Sequence, residues 1–247
     1  MRSGARHGVA IALILVLSAT GCSLLGDDPA PAARAPEVMT ESQLREATES
    51  VVAEREAALL SGDRDAFLST IDEDALQFVA TQERWFDNIS SMPISHLSLT
   101  VVDEDHPDDK EASPLRVPVD FTMRLAGFED TSVTQRLVYT FTRGVDGLVL
   151  AADRDARADE RGDWLPEPWD ITQVVVRHSD AMLVFFDEDT SPYADAVMKD
   201  LEASRRSVMA ALPDWSGKLV AYDISDLSNI EKRSPMSLAE TGGVAYP

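Results

Sequence analysis

Cysteine is nearly absent from this chain, and its single copy, Cys22, excludes any internal disulfide. Basic residues are also scarce, since 22 Lys and Arg stand against 44 Asp and Glu and leave a formal net charge of −22. Proteins bind nucleic acids largely by neutralising phosphates with Lys and Arg, so we predict no nucleic-acid partner. The apolar run at residues 9–19 is too short to span a bilayer, which takes about 20 residues.

The N-terminus has the layout of a secretory signal. Arg2 and Arg6 supply a short positive region, residues 9–19 are nearly all apolar, and small residues follow directly before Cys22. This order of charge, apolar core and small residues is typical of a cleaved export signal. We therefore exclude residues 1–21 from the fold. Their loss removes the two positive charges of the arginines and takes the formal net charge from −22 to −24.

The sequence LSATGC at residues 17–22 resembles a bacterial lipobox. The resemblance implies that the Cys22 thiol receives a diacylglyceryl group and that cleavage then makes Cys22 the first residue. A cysteine suits this role because its thiolate is a strong nucleophile. Several acyl chains anchor a protein stably, so the resemblance implies a chain held on the extracytoplasmic face of the cell membrane. A plain signal peptide followed by an unmodified cysteine is the alternative.

Helix signals begin after a predicted flexible tether at residues 22–39, where proline and alanine favour an extended spacer. Thr40 and Gln43 have the spacing of a capping box, which places the start of a helix at Thr40. Apolar residues then recur at helical spacing until Gly62, which is suited to end the helix. Asp63 follows as a candidate N-cap for a second helix.

A third helix is predicted around Trp85, and strands follow it. The clearest strand is Leu115–Leu125, where every odd position is apolar and every even position is polar or proline. This alternation is expected of a strand with one buried and one solvated face. Further strands are predicted at residues 97–101, 133–143 and 148–153. Helices followed by antiparallel strands indicate an α+β fold.

Three features of the chain occur in sequence: an amphipathic helix in residues 54–72, its small-residue break at residues 60–63, and long alternating strands up to residue 153. In this order of elements, residues 40–170 resemble the NTF2-like (SnoaL-like) superfamily. The resemblance implies a cone of helices packed on a curved antiparallel sheet. Its cavity supports catalysis in some members and only binding in others, so the fold alone does not give the function.

The sequence WLPEPWD at residues 164–170 precedes predicted strands at 172–176, 181–186 and 218–223, and a predicted helix opened by Ser191 as N-cap. This order resembles a bacterial group in which an NTF2-like domain precedes a zinc metallopeptidase-like (gluzincin-type) domain. Residues 171–247 match only the opening of that second domain, and the chain contains no H-E-x-x-H zinc motif. We expect a partial, incompletely packed α/β region, in which a strand starting near Val244 needs a neighbour.

Candidate metal sites are weak in this sequence. His7 leaves with the signal, and His96, His106 and His178 lack the spacing of zinc ligands. The acidic residues 102–109 could bind Ca²⁺ weakly, but they lack the glycine and spacing of an EF-hand, so a solvated charge run is favoured. The similar cluster at residues 187–189 is attributed to favourable charge at a helix N-terminus.

A general acid–base pair inside the cone could be built from Asp120, Asp153 and Asp155, with His96 nearby, if burial shifted their pKa values. Asp120 alternates with apolar residues and is expected to face water. Five aromatic residues are expected in the core: Trp85, Phe86, Phe121, Tyr139 and Phe141. We therefore predict no catalytic residue, no cofactor and no metal ligand in this chain.

The leading hypothesis is a non-catalytic lipoprotein whose NTF2-like domain binds a small-molecule or protein ligand. One alternative is a partial zinc metallopeptidase whose H-E-x-x-H half lies outside this chain. Another is a small-molecule enzyme that uses the cone, and a cavity filled by side chains would count against it. The sequence leaves the oligomeric state open.

Overall fold

The computed structural model describes residues 39–102, 114–145, 147–154 and 166–226, and it begins with a capped helix. Helix α1 spans Glu41–Ser61. The hydroxyl of Thr40 accepts a hydrogen bond from Gln43 N, while the Gln43 side chain accepts one from Thr40 N, which confirms the predicted capping box. The helix ends at Gly62, whose φ of 69° is left-handed and easily adopted by glycine.

Two further helices complete the helical layer. Helix α2 spans Arg64–Ser69 and α3 spans Leu76–Ser90. Asp63 caps α2 as predicted, since its carboxylate accepts a hydrogen bond from Ala66 N at 3.0 Å. Across the described ranges, no helix is both long and apolar enough to cross a bilayer.

The first sheet has four antiparallel strands in the order β1-β2-β3-β4. The strands are Ile94–Val101, Leu115–Leu125, Val133–Arg143 and Leu148–Ala152. The predicted alternation is confirmed in β2, where Val119, Phe121, Met123 and Leu125 are buried and the residues between them are partly exposed. One face of this sheet therefore belongs to the core.

The helices cover this buried face. Helix α1 packs along β1 and also reaches β4. Phe67 of α2 lies 5.9 Å from Trp85 and 5.1 Å from Phe86 of α3, measured between ring centroids, and Trp85 lies 5.5 Å from Phe121 of β2. These aromatic residues occupy the core, as expected. Helices packed against an antiparallel sheet confirm the predicted α+β class.

A second sheet follows a short helix, α4, at Pro168–Ile171. Its strands are β5, Val175–His178, β6, Met182–Phe186, and β7, Leu219–Asp223, in the order β5-β6-β7. Strand β5 is antiparallel to β6, whereas β7 is parallel to it. The chain therefore crosses over between β6 and β7, through a 3₁₀ turn at Ser191–Tyr193 and helix α5, Ala194–Ala211.

Strand β6 is buried on both faces, and all five of its residues are inaccessible. Met182 and Val184 pack with Ala194 at the start of α5, while Leu183 and Phe185 belong to the core of the first sheet. A strand covered on both sides has a continuous apolar sequence instead of an alternating one, which explains the run MLVFF.

Asn88 of α3 fixes the segment that joins the two sheets. Its fully buried side-chain amide donates two hydrogen bonds to residues 169–174 and accepts two from them, at distances of 2.7 to 2.9 Å. These four bonds use both N–H donors and both acceptor positions of the amide. The strand predicted at residues 172–176 therefore begins only at Val175, because the backbone before it bonds to Asn88.

The start of α5 differs from the prediction. The helix predicted to open at Ser191 begins instead at Ala194, after the 3₁₀ turn. The Ser191 hydroxyl donates to the carbonyl oxygen of Glu188, so it does not cap the helix as expected. A proline at position 192 allows this tight turn because its missing N–H would have had no partner in the first turn.

The predicted apolar side of α5 is only half covered. Met198 and Leu201 pack against the second sheet. Val208 and Leu212 continue the same stripe but are 42% and 57% exposed. The expected core contact therefore stops in the middle of the helix.

Several sequence predictions fall outside the described residues. They concern Cys22, the tether, His106 with residues 103–109, Asp155 and the strand start at Val244. These remain predictions.

Candidate functional site

A small cavity lies between the helices and the four-stranded sheet. Its volume is about 20 Å³, and its walls include Arg55, Gln82, Trp85, Tyr139, Asp153 and Asp170. A cavity of this size holds about one water molecule. Pockets for organic ligands are larger, at roughly 300 Å³ or more. The structure therefore has a small polar chamber between its helices and its first sheet, with room for about one water molecule.

Arg55 is the central group of this chamber. It lies on the apolar face of α1, one helical turn after Val51, and only 1% of it is exposed. Its Nη1 donates to Thr70 Oγ1 at 2.9 Å and its Nη2 donates to Gln82 Oε1 at 2.6 Å. Its Nε has no hydrogen-bond partner within the described part of the chain. The guanidinium carbon lies 4.1 Å from the centre of the Phe67 ring, a favourable cation–π distance.

Arg55 is linked to a carboxylate through the side-chain amide of Gln82. Gln82 accepts from Arg55 and donates through its Nε2 to Asp153 Oδ2 at 2.7 Å. Asp153 also lies 3.6 Å from Nε of Arg154, measured from its Oδ1. A buried charge is costly unless it is paired and hydrogen-bonded. The chain of Arg55, Gln82, Asp153 and Arg154 supplies this compensation.

Asp170 closes the other side of the chamber. Its Oδ1 accepts from Trp85 Nε1 at 3.1 Å, and its Oδ2 accepts from Glu167 N at 2.9 Å. Burial raises the pKa of Asp170 to about 6, although these hydrogen bonds oppose the rise. The backbone oxygen of Asp170 also accepts from Arg84 Nη2 at 3.2 Å.

Tyr139 faces Arg55 from β3, and burial raises the pKa of its phenol above the usual value of 10, so the phenol is neutral at physiological pH. Asp170 and Tyr139 are therefore two groups at this chamber whose pKa values burial raises. An organic substrate has no room beside them.

The predicted acid–base residues are only partly brought together. Asp153 lines the chamber, whereas Asp120 lies on the outer face of β2 and pairs with Arg136 at 2.5 Å, in line with its expected outward position. His96 on β1 and His178 at the end of β5 are both exposed and line neither described cavity. The structure therefore does not bring Asp120 or His96 together with Asp153 at this cavity.

Sequence reasoning missed the residues that shape the chamber, above all Arg55, Gln82 and Asp170. A usable signal existed for Arg55, which shares an apolar helical face with Val51, Val52 and other core residues. A charged residue at a core position either snorkels to solvent or needs a buried partner. Its partner Gln82 comes from another helix, and local sequence patterns do not show this.

A second cavity, of about 280 Å³, lies where the chain leaves β6 and β7. Asp187 accepts from Ser225 N and Ser225 Oγ, both at 2.6 Å, and from Thr190 N at 2.9 Å. Burial alone would raise the pKa of Asp187, but these hydrogen bonds outweigh it and lower the pKa. Asp187 thus ties together the loops after both strands.

Over the residues that the structure describes, no three His, Cys, Asp or Glu side chains are arranged to hold a metal ion. Comparison with protein-family models, with curated proteins and with solved structures gives no match for this chain. Its function therefore has to follow from its own residues.

Proposed function

We propose that this chain is an extracytoplasmic lipoprotein, held at the membrane through acyl chains on Cys22, whose α+β body binds a partner without turning over a substrate. The observation that carries the non-catalytic part is the chamber around Arg55, which leaves room for about one water molecule. A substrate would have to displace a hydrogen-bonded, buried arginine. The anchor is supported by the signal-like N-terminus and the lipobox-like sequence ending in Cys22.

The proposal includes an NTF2-like domain over residues 40–170. Three helices precede a sheet of four antiparallel strands, and the polar chamber lies between the two layers, which supports this assignment. The buried network gives such a domain a rigid interior, so its contacts with a partner would be made by the outer surface.

Mass spectrometry of the mature protein tests the anchor. The full-length chain is expressed in a bacterial host, extracted from the membrane fraction and digested. We expect an N-terminal peptide that starts at Cys22 and carries the added mass of its acyl groups. A Cys22→Ser variant should remain in the soluble extracytoplasmic fraction, whereas Ser23→Ala should behave like the parent chain. An unmodified sulfur, or a mature chain that starts elsewhere, refutes the anchor.

A second candidate function is that of a partial zinc metallopeptidase, with residues 171–247 as the opening of the peptidase-like domain. The observation that favours it is the second sheet, where β6 and β7 pair in parallel and α5 packs against them. The sequence contains no H-E-x-x-H motif. Reading the gene in frame beyond the codon for Pro247 tests this candidate, and a continuation into H-E-x-x-H would favour it over the non-catalytic proposal.

A further inference from the structure

Met209, near the end of α5, is the most exposed of the methionines that the structure describes. Its side chain is 36% exposed. The other described methionines are buried or only partly exposed: Met39, Met92, Met123, Met182 and Met198. A small oxidant dissolved in water therefore reaches the Met209 thioether more easily than the thioethers in the two cores.

The sulfur of Met209 has a fixed position between the helix and the loop that follows it. Arg205, one helical turn earlier, donates through Nη1 to Met209 Sδ at 3.0 Å. The same guanidinium is held by Glu202, whose carboxylate accepts from Nε at 2.7 Å and from Nη2 at 2.8 Å. Gly217 of the loop lies so close that a Cβ there would be 2.7 Å from the sulfur. The thioether is therefore packed against two defined neighbours.

Both neighbours lie on the same side of the sulfur. A Cβ built on Gly217 would also lie 2.9 Å from Arg205 Nη1. This position, Nη1 and Met209 Sδ thus form a nearly equilateral triangle, so Arg205 and Gly217 lie in similar directions from Sδ. Solvent therefore reaches the exposed thioether from the opposite side.

We propose that Met209 is a site of oxidation by peroxide and that its sulfoxide forms mainly as one epimer. A thioether sulfur has one lone pair on each face of the plane of its two C–S bonds, and an oxygen added to one or the other gives the two epimers of methionine sulfoxide. Arg205 and Gly217 cover one of these faces, and the other faces solvent. This inference does not depend on the anchor at Cys22.

The oxidation step needs only the sulfur and one molecule of hydrogen peroxide. The solvent-facing lone pair attacks one peroxide oxygen, and the S–O bond forms as the O–O bond breaks. The proton on the transferred oxygen passes to the leaving hydroxide, which becomes water, so the sulfur loses two electrons and the peroxide gains them. The new oxygen points to solvent, and the contacts with Arg205 and Gly217 are kept. Since each class of sulfoxide reductase acts on one epimer, one class alone would restore most of the Met209 thioether.

Limited oxidation of the purified mature chain tests this proposal. The folded chain and the same chain unfolded in urea are each treated with dilute hydrogen peroxide and then digested with trypsin. Cleavage after Arg206 and Lys218 releases residues 207–218, in which Met209 is the only methionine. Mass spectrometry follows sulfoxide formation at each methionine. The oxidised peptide is then treated with a reductase for one epimer or with a reductase for the other.

In the folded chain, we expect Met209 to be oxidised several times faster than Met198 and one of the two reductases to remove most of its sulfoxide. An excess of roughly tenfold corresponds to a difference of about 1.4 kcal/mol between the two transition states, which close contacts on one side of the sulfur can supply. In urea both lone pairs are accessible, so the two epimers should form in nearly equal amounts. Nearly equal epimers in the folded chain, or oxidation of Met209 no faster than that of Met198, overturn the proposal.

Two alanine variants test whether Arg205 shields the sulfur. Arg205→Ala should reduce the excess of one epimer severalfold, toward the value in urea. Arg206→Ala is the matched control, because Arg206 also pairs with Glu202, at 2.8 Å, but its side chain is 73% exposed. This control should keep the excess of the parent chain. The same excess in both variants contradicts the proposed shielding.

Discussion

Replacement of Glu167 by glutamine tests the electrostatics at the junction between the two sheets. Glu167 lies directly before α4, and burial, followed by the charges of Asp170 and Glu129, raises its pKa from 4.5 to about 7. Between these two pH values the folded protein keeps a proton that the unfolded chain has released. The free energy of unfolding therefore falls as the pH rises through this window.

The size of the effect follows from the pKa values. A rise from 4.5 to about 7 is equivalent to about 3 kcal/mol, and about 2–3 kcal/mol of it is lost between pH 5 and pH 8. Glutamine has the shape of a protonated glutamate and does not ionise. The Glu167→Gln variant should therefore be nearly as stable as the parent at pH 5 and more stable by about 2–3 kcal/mol at pH 8.

Urea unfolding of the mature chain at a series of pH values measures this difference, with tryptophan fluorescence as the signal. Trp169 is a suitable reporter because it packs against Phe185 and Tyr222 at the same junction. Glu73→Gln is the matched control, because it removes one carboxylate at an exposed position. A stability gap between Glu167→Gln and the parent that is the same at pH 5 and pH 8 would refute the reasoning.

Two further substitutions probe the buried polar groups. Asn88→Ala should lower the free energy of unfolding by about 3–5 kcal/mol, because it leaves three backbone groups of residues 169–174 without partners. Urea unfolding measures this loss, and a value below about 1 kcal/mol would contradict the prediction. Arg55→Lys should lower the free energy of unfolding by about 2–4 kcal/mol, since one ammonium cannot bind both Thr70 and Gln82 as the guanidinium does. Thermal unfolding of the variant and the parent measures this, and an unchanged melting temperature would contradict the role given to the guanidinium.

The parts of the fold that follow from local chemistry could be predicted from the sequence. The capping box at Thr40, the glycine stop at Gly62 and the Asp63 cap each involve residues a few positions apart, so their pattern is visible in the chain. The alternation in β2 is equally local, because one buried face imposes a period of two. These signals were sufficient for the α+β class.

The candidate site could not be predicted in the same way, because its partners are distant in the chain. Gln82 meets Asp153 across 71 positions, and Asn88 meets Val174 across 86. A glutamine or asparagine on a helix has the same local pattern whether it is solvated or buried. The late start of β5 has the same origin, since the backbone before it is bonded by a side chain from another helix.

The position of Phe185 and Leu183 on the inner face of β6 has a consequence for how this chain could be divided. Both side chains complete the core of the first sheet, and Trp169 covers Phe185 from the linking segment. A cut between residues 170 and 171 would expose buried apolar surface on each of the two products. The two regions should therefore not behave as independent domains that can be exchanged between proteins. Each half expressed by itself should aggregate instead of folding.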